Sequence, residues 1–382
     1  MSRGDGINID ASGPVMLAET VDGDRLVQTF LDLVAIDSPT GHEEEIGKEL
    51  AARFTDFGCT VTMDDVGNLL AVLPGARPDT VLLSTHMDTA GTDVGIQPIV
   101  EGGVIKTDGT TILGADDKSG IAGCLELLTL LRSHPEVEHP TLEFVISVRE
   151  ESGLLGSRQM DLSRLNSTYG FVFDTAGDIG AITYWTPTSV YITVTIRGKK
   201  AHAGVEPEKG INAVKVAAEA IAAMPLGRID EETVANIGTI TGGEARNIVP
   251  GEVTLQGMAR SHDQAKLDAQ LDAMRSALAE AADRHGATVD IEAEEIYRTY
   301  HIDESERPYR EAARAITSLG LEVIPRKSGG GTDGNFFNAH GIACVAMATG
   351  MVDEHAATEH IAIEDMVMAC KILVTIVTQE PE

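Results

Sequence analysis

Two kinds of hydrophobic pattern alternate along the first half of the chain. Segments with helical periodicity are separated by short runs that are apolar at nearly every position. Such runs are typical of strands buried on both faces, and their alternation with helices predicts a sheet covered by helices. The predicted helices are 23–36, 43–54 and 118–133, and the predicted strands are 81–85, 142–148 and 170–173.

The pattern changes near residue 187. Residues 190–198 alternate apolar and polar side chains with period two, as an antiparallel strand with one solvated face does. The segments that follow predict a small α+β unit. Its predicted helices are 211–223 and 263–285, and its further strands are near 234–240, 252–260 and 287–297.

Helix–strand alternation returns after about residue 300, and 343–349 is predicted to be another buried strand. We therefore predict an α/β fold with a mixed sheet flanked by helices. The main domain is discontinuous, residues 1–186 and 299–382, and an α+β domain, residues 187–298, is inserted into it. A length of 382 residues agrees with about two domains.

Composition narrows the classes of partner. Acidic residues outnumber basic ones 60 to 29, and a formal charge of −31 argues against nucleic acid. No stretch approaches ~18 uncharged apolar residues, so no membrane span is predicted. Residues 1–20 lack the apolar stretch of a signal peptide, which favours the cytoplasm. Four cysteines without C-x-x-C spacing are predicted to be reduced core residues: Cys59, Cys124, Cys344 and Cys370.

Titratable side chains follow several predicted strands. His86 and Asp88, two residues apart on an extended chain, point to the same side. His86 could bind a metal while Asp88 fixes its tautomer, although a His-x-Asp pair alone is a weak signal. Asp116 and Asp117 lie in a glycine-flanked turn before a helix. They could be plain N-caps, or Asp116 could bridge two metal ions.

Three further positions extend this set. Glu150 and Glu151 follow a predicted strand, where neighbouring side chains diverge. One could therefore face a metal and the other its bound water, or both could form an exposed charge pair. Asp174 ends the next strand and could equally start a turn. His355 follows a glycine-rich loop and could be a surface residue.

Taken together, these positions offer about five His and carboxylate ligands, the number that two metal ions sharing one bridge need. Mixed ligation without cysteine suits a catalytic hydrolytic pair of zinc ions.

Four segments resemble the zinc-dependent metallopeptidase family that includes peptidase T, carboxypeptidase G, aminoacylase and succinyl-diaminopimelate desuccinylase. The resemblance covers nearly the whole chain from Ser38-Pro39-Thr40-Gly41 onward and is greatest for the peptidase T branch. It implies a zinc-exopeptidase-like fold with two Zn²⁺ per chain, cobalt or manganese being alternatives. The segments are STHMDTA (84–90), TILGADDKSG (111–120), GGTDGN (330–335) and the His-x-x-x-Glu of 355–359.

The resemblance also implies roles for the residues of the main domain. Glu150 acts as general base and then as general acid, and Asp88 orients His86. The implied metal ligands are His86 and Asp174 for one ion, Glu151 and His355 for the other, and Asp116 as the bridge.

For the inserted domain, the resemblance implies a ferredoxin-like lid through which a homodimer forms. His202 matches a histidine that reaches an active site, often the partner subunit's, and stabilises the oxyanion. Alone, it could be a solvated loop histidine. An Arg fork at Arg260 suits a peptide's terminal carboxylate. The loop 328–334 could face the substrate or be a flexible turn. The implied substrate-binding residues are Asn247, Arg260, Gly330 and Thr332.

We therefore predict a metal-dependent exopeptidase that releases the N-terminal residue of a short peptide, as a tripeptide aminopeptidase does. Two alternatives stay open: an amidohydrolase acting on N-acyl amino acids with the same metals, and a metal-binding scaffold without catalysis. Residues 351–354 depart from the sequence expected of peptidase T, which bears on the tripeptide preference more than on the metal site.

Overall fold

The computed structural model describes residues 17–380. The chain forms two compact units. One holds the described residues up to Tyr184, then Ile302–Lys327 and the residues from Thr332 onward, and the other holds Trp185–His301 and Ser328–Gly331. The prediction about a signal peptide concerns residues 1–20 and therefore falls mostly outside the described residues.

The helices of the described chain are α1 Gly23–Val34, α2 Glu44–Asp56, α3 Ala115–Ser133, α4 Leu155–Gln159, α5 Ala213–Ala223, α6 Gln264–His285, α7 Arg307–Ser318, α8 Gly334–Ala339 and α9 Ile363–Thr378. The strands are β1 Thr60–Met63, β2 Leu69–Leu73, β3 Thr80–His86, β4 Ile99–Glu101, β5 Val104–Lys106, β6 Thr141–Ser147, β7 Tyr169–Thr175, β8 Ala181–Thr186, β9 Thr188–Arg197, β10 Gly227–Arg228, β11 Thr233–Gly242, β12 Glu252–Ser261, β13 Thr288–Tyr297, β14 Tyr300–His301, β15 Ile324–Lys327, β16 Ala343–Ala348, β17 Met351–Val352 and β18 His360–Ala362.

The first unit is built on a mixed sheet with the order β1-β2-β6-β3-β7-β16-β8. Strands β6, β3, β7 and β16 run parallel, whereas β2 and β8 join them antiparallel at the two sides. The parallel strands are buried on both faces, which explains why their sequences are continuously apolar. Their carboxyl ends meet at one edge of the sheet.

Helix α3 is buried along nearly its whole length, because it packs between the sheet and the helices α1 and α9. A helix that is apolar all round is typical of such a central position. Its first residues therefore sit at the same edge of the sheet as the ends of β3 and β7. A smaller sheet, in the order β17-β18-β5-β4, carries the loop that contains His355.

The second unit has an antiparallel sheet in the order β10-β11-β12-β9-β13, and α5 and α6 pack against it. Alternate residues of β9 enter its core, among them Val190, Ile192, Val194 and Ile196. The period-two pattern of β9 thus arises because one face of the strand packs into the core, as the sequence predicts. The predicted α/β class with a separate α+β unit is confirmed.

Two expectations from composition also concern the described residues. No helix there is both long and apolar enough to span a bilayer. The four cysteines are buried and free, as predicted.

Candidate metal centre

The order of the parallel strands explains how distant residues meet. Strand β3 lies between β6 and β7. His86 is the last residue of β3, Asp174 is next to last in β7, and Glu150 and Glu151 follow shortly after β6. Ligands at adjacent carboxyl ends of parallel strands are in reach of one another, as in other open α/β sheets.

Among the described residues, potential ligand atoms form three groups at this edge, and two of these groups share Asp116. In the first, His86 Nε2 is 2.9 Å from Asp116 Oδ1 and 3.5 Å from Asp174 Oδ1. In the second, His355 Nε2 is 3.1 Å from Asp116 Oδ2 and 2.9 Å from Glu151 Oε1. Each oxygen of Asp116 therefore faces a different imidazole. This is the geometry that a carboxylate bridging two metal ions requires.

The electrostatics of the clusters favour cations. Burial, with Asp116 and Asp333 nearby, raises the pKa of Asp174 to about 8. Burial and Asp174 raise the pKa of Asp117 well above its usual range. Glu151 Oε1 is buried and lies 2.9 Å from His355 Nε2, whereas Asp117 Oδ1 and Asp333 Oδ1 are buried without a hydrogen-bond partner. Many carboxyl oxygens are thus buried close together, and some of them have no partner. Such a site suits divalent metal ions bound between the carboxylates.

Asp88 fixes the orientation of His86. His86 Nδ1 lies 3.1 Å from the Asp88 carbonyl oxygen and 3.3 Å from Asp88 Oδ1, so Nε2 is the nitrogen left for the cluster. The carboxylate of Asp88 in turn accepts hydrogen bonds from Thr40 Oγ1 at 2.7 Å and from the backbone N–H groups of Glu150 at 3.0 Å and Glu151 at 3.3 Å. One side chain therefore links the end of β3 to the Glu150–Glu151 turn.

Asp117 braces the site from the other side. The Asp116–Asp117 peptide bond is cis. Asp117 Oδ2 accepts a hydrogen bond from His86 N at 3.3 Å. Gly114 occupies the N-cap of α3, so neither aspartate is the N-cap residue. Of the two readings of this pair, the capping role is not observed.

Models of known protein families match two parts of the chain. The M20_dimer model, described as a peptidase dimerisation domain, matches residues 186–286, and the model of peptidase family M28 matches residues 68–223. The uncharacterized protein YqjE of Bacillus subtilis (strain 168) is 42% identical, over 93% of this chain and 98% of its own.

Two solved structures are similar in both sequence and fold. The aminopeptidase PepT of Bacillus cereus is 40% identical with a TM-score of 0.84, and the match covers 94% of this chain and 98% of that one. A tripeptidase of Staphylococcus aureus is 36% identical with a TM-score of 0.88, with the same coverage of 94% and 98%. The chain belongs to the peptidase T-like branch of the M20 metallopeptidases.

The Glu150–Glu151 pair of this peptidase T-like chain corrects one structural expectation. We expected both residues on extended backbone, but Glu150–Ser152 form a turn of 3-10 helix. Arg149 enters it with a left-handed φ of 53°. The turn forms because Asp88 accepts the backbone N–H groups of both glutamates. The two side chains still differ in position, since Glu151 faces His355.

Four of the predicted site residues, His202, Asn247, Arg260 and Gly330, belong to the second unit. His202 and Asn247 are exposed and lie on adjacent segments, where Ala203 N donates to the Asn247 carbonyl oxygen at 2.9 Å. Arg260 Nη1 donates to the Gly329 carbonyl oxygen at 3.1 Å, next to Gly330.

Thr332, the remaining predicted substrate contact of the peptidase T-like chain, belongs to the first unit. It is buried, and its hydroxyl accepts a hydrogen bond from Gly334 N at 3.2 Å. Its observed contacts are those of a turn.

Two buried carboxylates near the centre were missed from sequence. Glu359 accepts backbone N–H groups of Leu113 at 2.7 Å, Gly114 at 2.8 Å and Asp116 at 3.0 Å, and so holds the loop that carries the shared aspartate. Asp333 accepts a hydrogen bond from Ser147 Oγ, while its Oδ1 has no partner. The spacing of Glu359 from His355 was visible, but its burial was not.

Proposed function

We propose that this metallopeptidase binds two zinc ions and removes the N-terminal residue of tripeptides. The observation that carries the proposal is the shared Asp116, whose two oxygens face different clusters. Two imidazoles and three carboxylates without a thiolate suit zinc, with cobalt or manganese as alternatives. The similarity to a PepT aminopeptidase and to a tripeptidase supports the substrate class.

When bound, the ions supply Lewis acidity toward the scissile carbonyl and lower the pKa of the attacking water. Glu150 takes the proton of that water and passes it to the leaving amine. Its carboxylate lies in one potential ligand group with His86 and Glu151, which supports this role. Burial and nearby Asp174 raise the pKa of Glu150 well above its usual range. The carboxyl group can therefore retain a proton between the two transfers.

His202 is our candidate for the hydrogen-bond donor to the oxyanion. Its Nδ1 accepts a hydrogen bond from Gly204 N at 3.2 Å. A neutral ring in that position carries its proton on Nε2, so Nε2–H is the donor offered to a substrate oxygen.

Arg260 is our candidate for binding the peptide carboxylate. Its Nη1 is tied to the Gly329 carbonyl oxygen, and its Nε is buried without a partner. The edge formed by Nε and Nη2 suits a bidentate contact with a carboxylate. Asn247 and Gly330 are the further proposed contacts. The match to a peptidase dimerisation domain supports a homodimer formed through the second unit. The cytoplasmic location stays a prediction.

Replacing Glu150 with glutamine tests the catalytic assignment. Glutamine keeps the shape of the side chain but cannot carry the proton, so we expect kcat to fall by about 10²-fold or more while bound zinc is unchanged. The measurements are tripeptide turnover and metal content. Glu354→Gln, at an exposed glutamate beside His355, is the matched control and should retain activity. A Glu150→Gln enzyme with normal kcat would refute the role.

A substrate panel separates the proposal from its alternatives. Di-, tri- and tetrapeptides and N-acetyl and N-succinyl amino acids are offered with zinc, manganese or cobalt. Release of the first residue from tripeptides supports the proposal. Cleavage of the acyl amino acids alone would assign the chain to the amidohydrolases, and binding of metal without any turnover would indicate a scaffold.

A further inference from the structure

Lys118 is buried in an environment where lysine is rare. Its side chain has no solvent exposure, and among residues 17–380 it is the one Lys or Arg that is buried. Nζ donates to the Ile36 carbonyl oxygen at 2.9 Å. Burial lowers the pKa of Lys118 to about 8, and Asp37, Glu359 and Asp88 oppose that shift. A charge kept in the interior at this cost needs a reason.

The segment that Lys118 holds runs beside the residues after β3. Thr89 N donates to the Ser38 carbonyl oxygen at 2.9 Å, and Thr40 N donates to the Thr89 carbonyl oxygen at 3.2 Å. Ser38 Oγ donates to the Met87 carbonyl oxygen at 2.9 Å. Residues 36–40 are thus bonded along 87–89, immediately past His86.

The contact that matters most for the metal centre is made by the last residue of this segment. Thr40 Oγ1 donates to Asp88 Oδ2 at 2.7 Å. Asp88 lies against His86 Nδ1 and also accepts the backbone N–H groups of Glu150 and Glu151. A continuous path of hydrogen bonds and backbone therefore joins Lys118 to His86 and to the glutamate turn. Lys118 itself donates from Nζ to a backbone carbonyl oxygen, and its ammonium group has no lone pair to offer a metal ion.

We propose that Lys118 is a positioning residue for the metal centre. Its ammonium group ties residues 36–40 to the start of α3, and this segment holds Asp88, which orients His86 and the Glu150–Glu151 turn. The inference rests on the proposed metal function of these ligands. Groups that orient metal ligands typically change metal affinity by about 10- to 100-fold when they are removed.

Lys118→Met and Thr40→Val test the two ends of this path. Methionine keeps most of the volume of lysine and removes the buried charge, so we expect the metal-free variant to fold with an unfolding temperature no lower than wild type. We expect its affinity for Zn²⁺ to fall by about 10-fold or more. Thr40→Val should weaken Zn²⁺ binding in the same direction, and the double variant should lose less than the product of the two losses.

Glu126→Gln is the matched control. Glu126 is a buried charge on the same helix α3, but it pairs with Arg25 and lies outside the groups of potential metal ligands. Loss of this pairing should lower the unfolding temperature and leave Zn²⁺ affinity unchanged. Zn²⁺ affinity is measured by competition with a chromophoric chelator, and unfolding is measured on the same metal-free preparations.

The outcomes separate this inference from the function on which it rests. If wild type binds no Zn²⁺, both fail. The second case is that wild type binds Zn²⁺ and the folded Lys118→Met variant has a Zn²⁺ affinity within about threefold of wild type. The proposed role of Lys118 is then refuted, and the metal function of the ligands is not. A Lys118→Met chain that does not fold also refutes it, because the residue would then be required for the fold. Fully multiplicative losses in the double variant would refute the path through Thr40.

Discussion

Asp116 is hydrogen-bonded to two imidazoles at once, to His86 Nε2 through Oδ1 and to His355 Nε2 through Oδ2. Burial acts against its charge, yet hydrogen bonds with His355 and His86 lower its pKa below the usual range. The same contacts act on the histidine. Hydrogen bonds to Asp116 and Glu151 raise the pKa of His355 to about 11. In the metal-free protein the imidazolium of His355 therefore supplies positive charge to the site.

Metal binding should displace the proton of His355. An unperturbed histidine, with a pKa near 6.5, is already neutral at pH 8, whereas His355 is still protonated there. Because only the neutral ring binds metal, saturating wild type with Zn²⁺ at pH 8 should release about one proton more than saturating His355→Ala. Zn²⁺ affinity should accordingly weaken as pH falls. Calorimetry in buffers of different ionisation enthalpy measures the release.

His360→Ala is the control for this measurement. His360 begins β18, directly after the loop that contains His355, but its Nδ1 bonds to the Thr358 carbonyl oxygen and it lies outside the ligand groups. The His360→Ala variant should release as many protons as wild type when it binds Zn²⁺. Equal release by wild type and His355→Ala would contradict the proton displacement.

The sequence predicts the ligand residues that follow strands, but not the buried residues that support those ligands. His86 and Asp174 follow apolar runs, and the ends of parallel strands meet at one edge. Nothing in the sequence indicates that Lys118 and Glu359 are buried, because charged residues lie at the surface in most cases. The residues alone left open whether Asp116 is an N-cap or a shared ligand, and the family resemblance favoured the shared ligand.

At the scale of elements, length decided what could be predicted. The long strands and the helix α3 carry enough positions to show a period, and they were found within a few residues of their bounds. The sheet β17-β18-β5-β4 was missed, since its strands have two or three residues each. Periodicity cannot be read in so short a segment. Yet this sheet frames the His355 loop.

Glu359 joins that loop to the start of α3, and its replacement tests how far the loop supports the centre. In Glu359→Gln, an NH₂ group replaces one of the two carboxylate oxygens. One of these oxygens accepts the backbone N–H groups of Leu113 and Gly114, and the other accepts that of Asp116. We expect about 1–3 kcal/mol lower stability from the donors left unpaired, together with weaker Zn²⁺ binding, because Asp116 loses its support. Urea unfolding and metal titration measure both.

Glu354→Gln again serves as the comparison, because Glu354 is an exposed glutamate of the same loop. It should be neutral in both measurements. If Glu359→Gln lost stability but kept wild-type Zn²⁺ affinity, Glu359 would support the fold and not the centre.

For the whole molecule, the dominant feature is a formal charge of −31. Like charges on a compact chain repel one another more than in the extended unfolded chain, so they lower stability. Screening weakens this repulsion, and the Debye length falls from about 30 Å at 0.01 M salt to about 10 Å at 0.1 M. We therefore expect the unfolding temperature to rise with NaCl, most steeply below ~0.2 M, where screening changes most.

The measurement is thermal unfolding of the chelator-treated protein from 0.01 to 1 M NaCl, so that bound metal is not a variable. Sucrose at matched osmolality is the comparison, because it stabilises through exclusion from the surface and is indifferent to charge. A rise at low NaCl that sucrose does not reproduce is the result expected of electrostatic repulsion. An unfolding temperature that stays flat between 0.01 and ~0.2 M NaCl, or decreases there as salt is added, would contradict a dominant repulsion among the acidic groups.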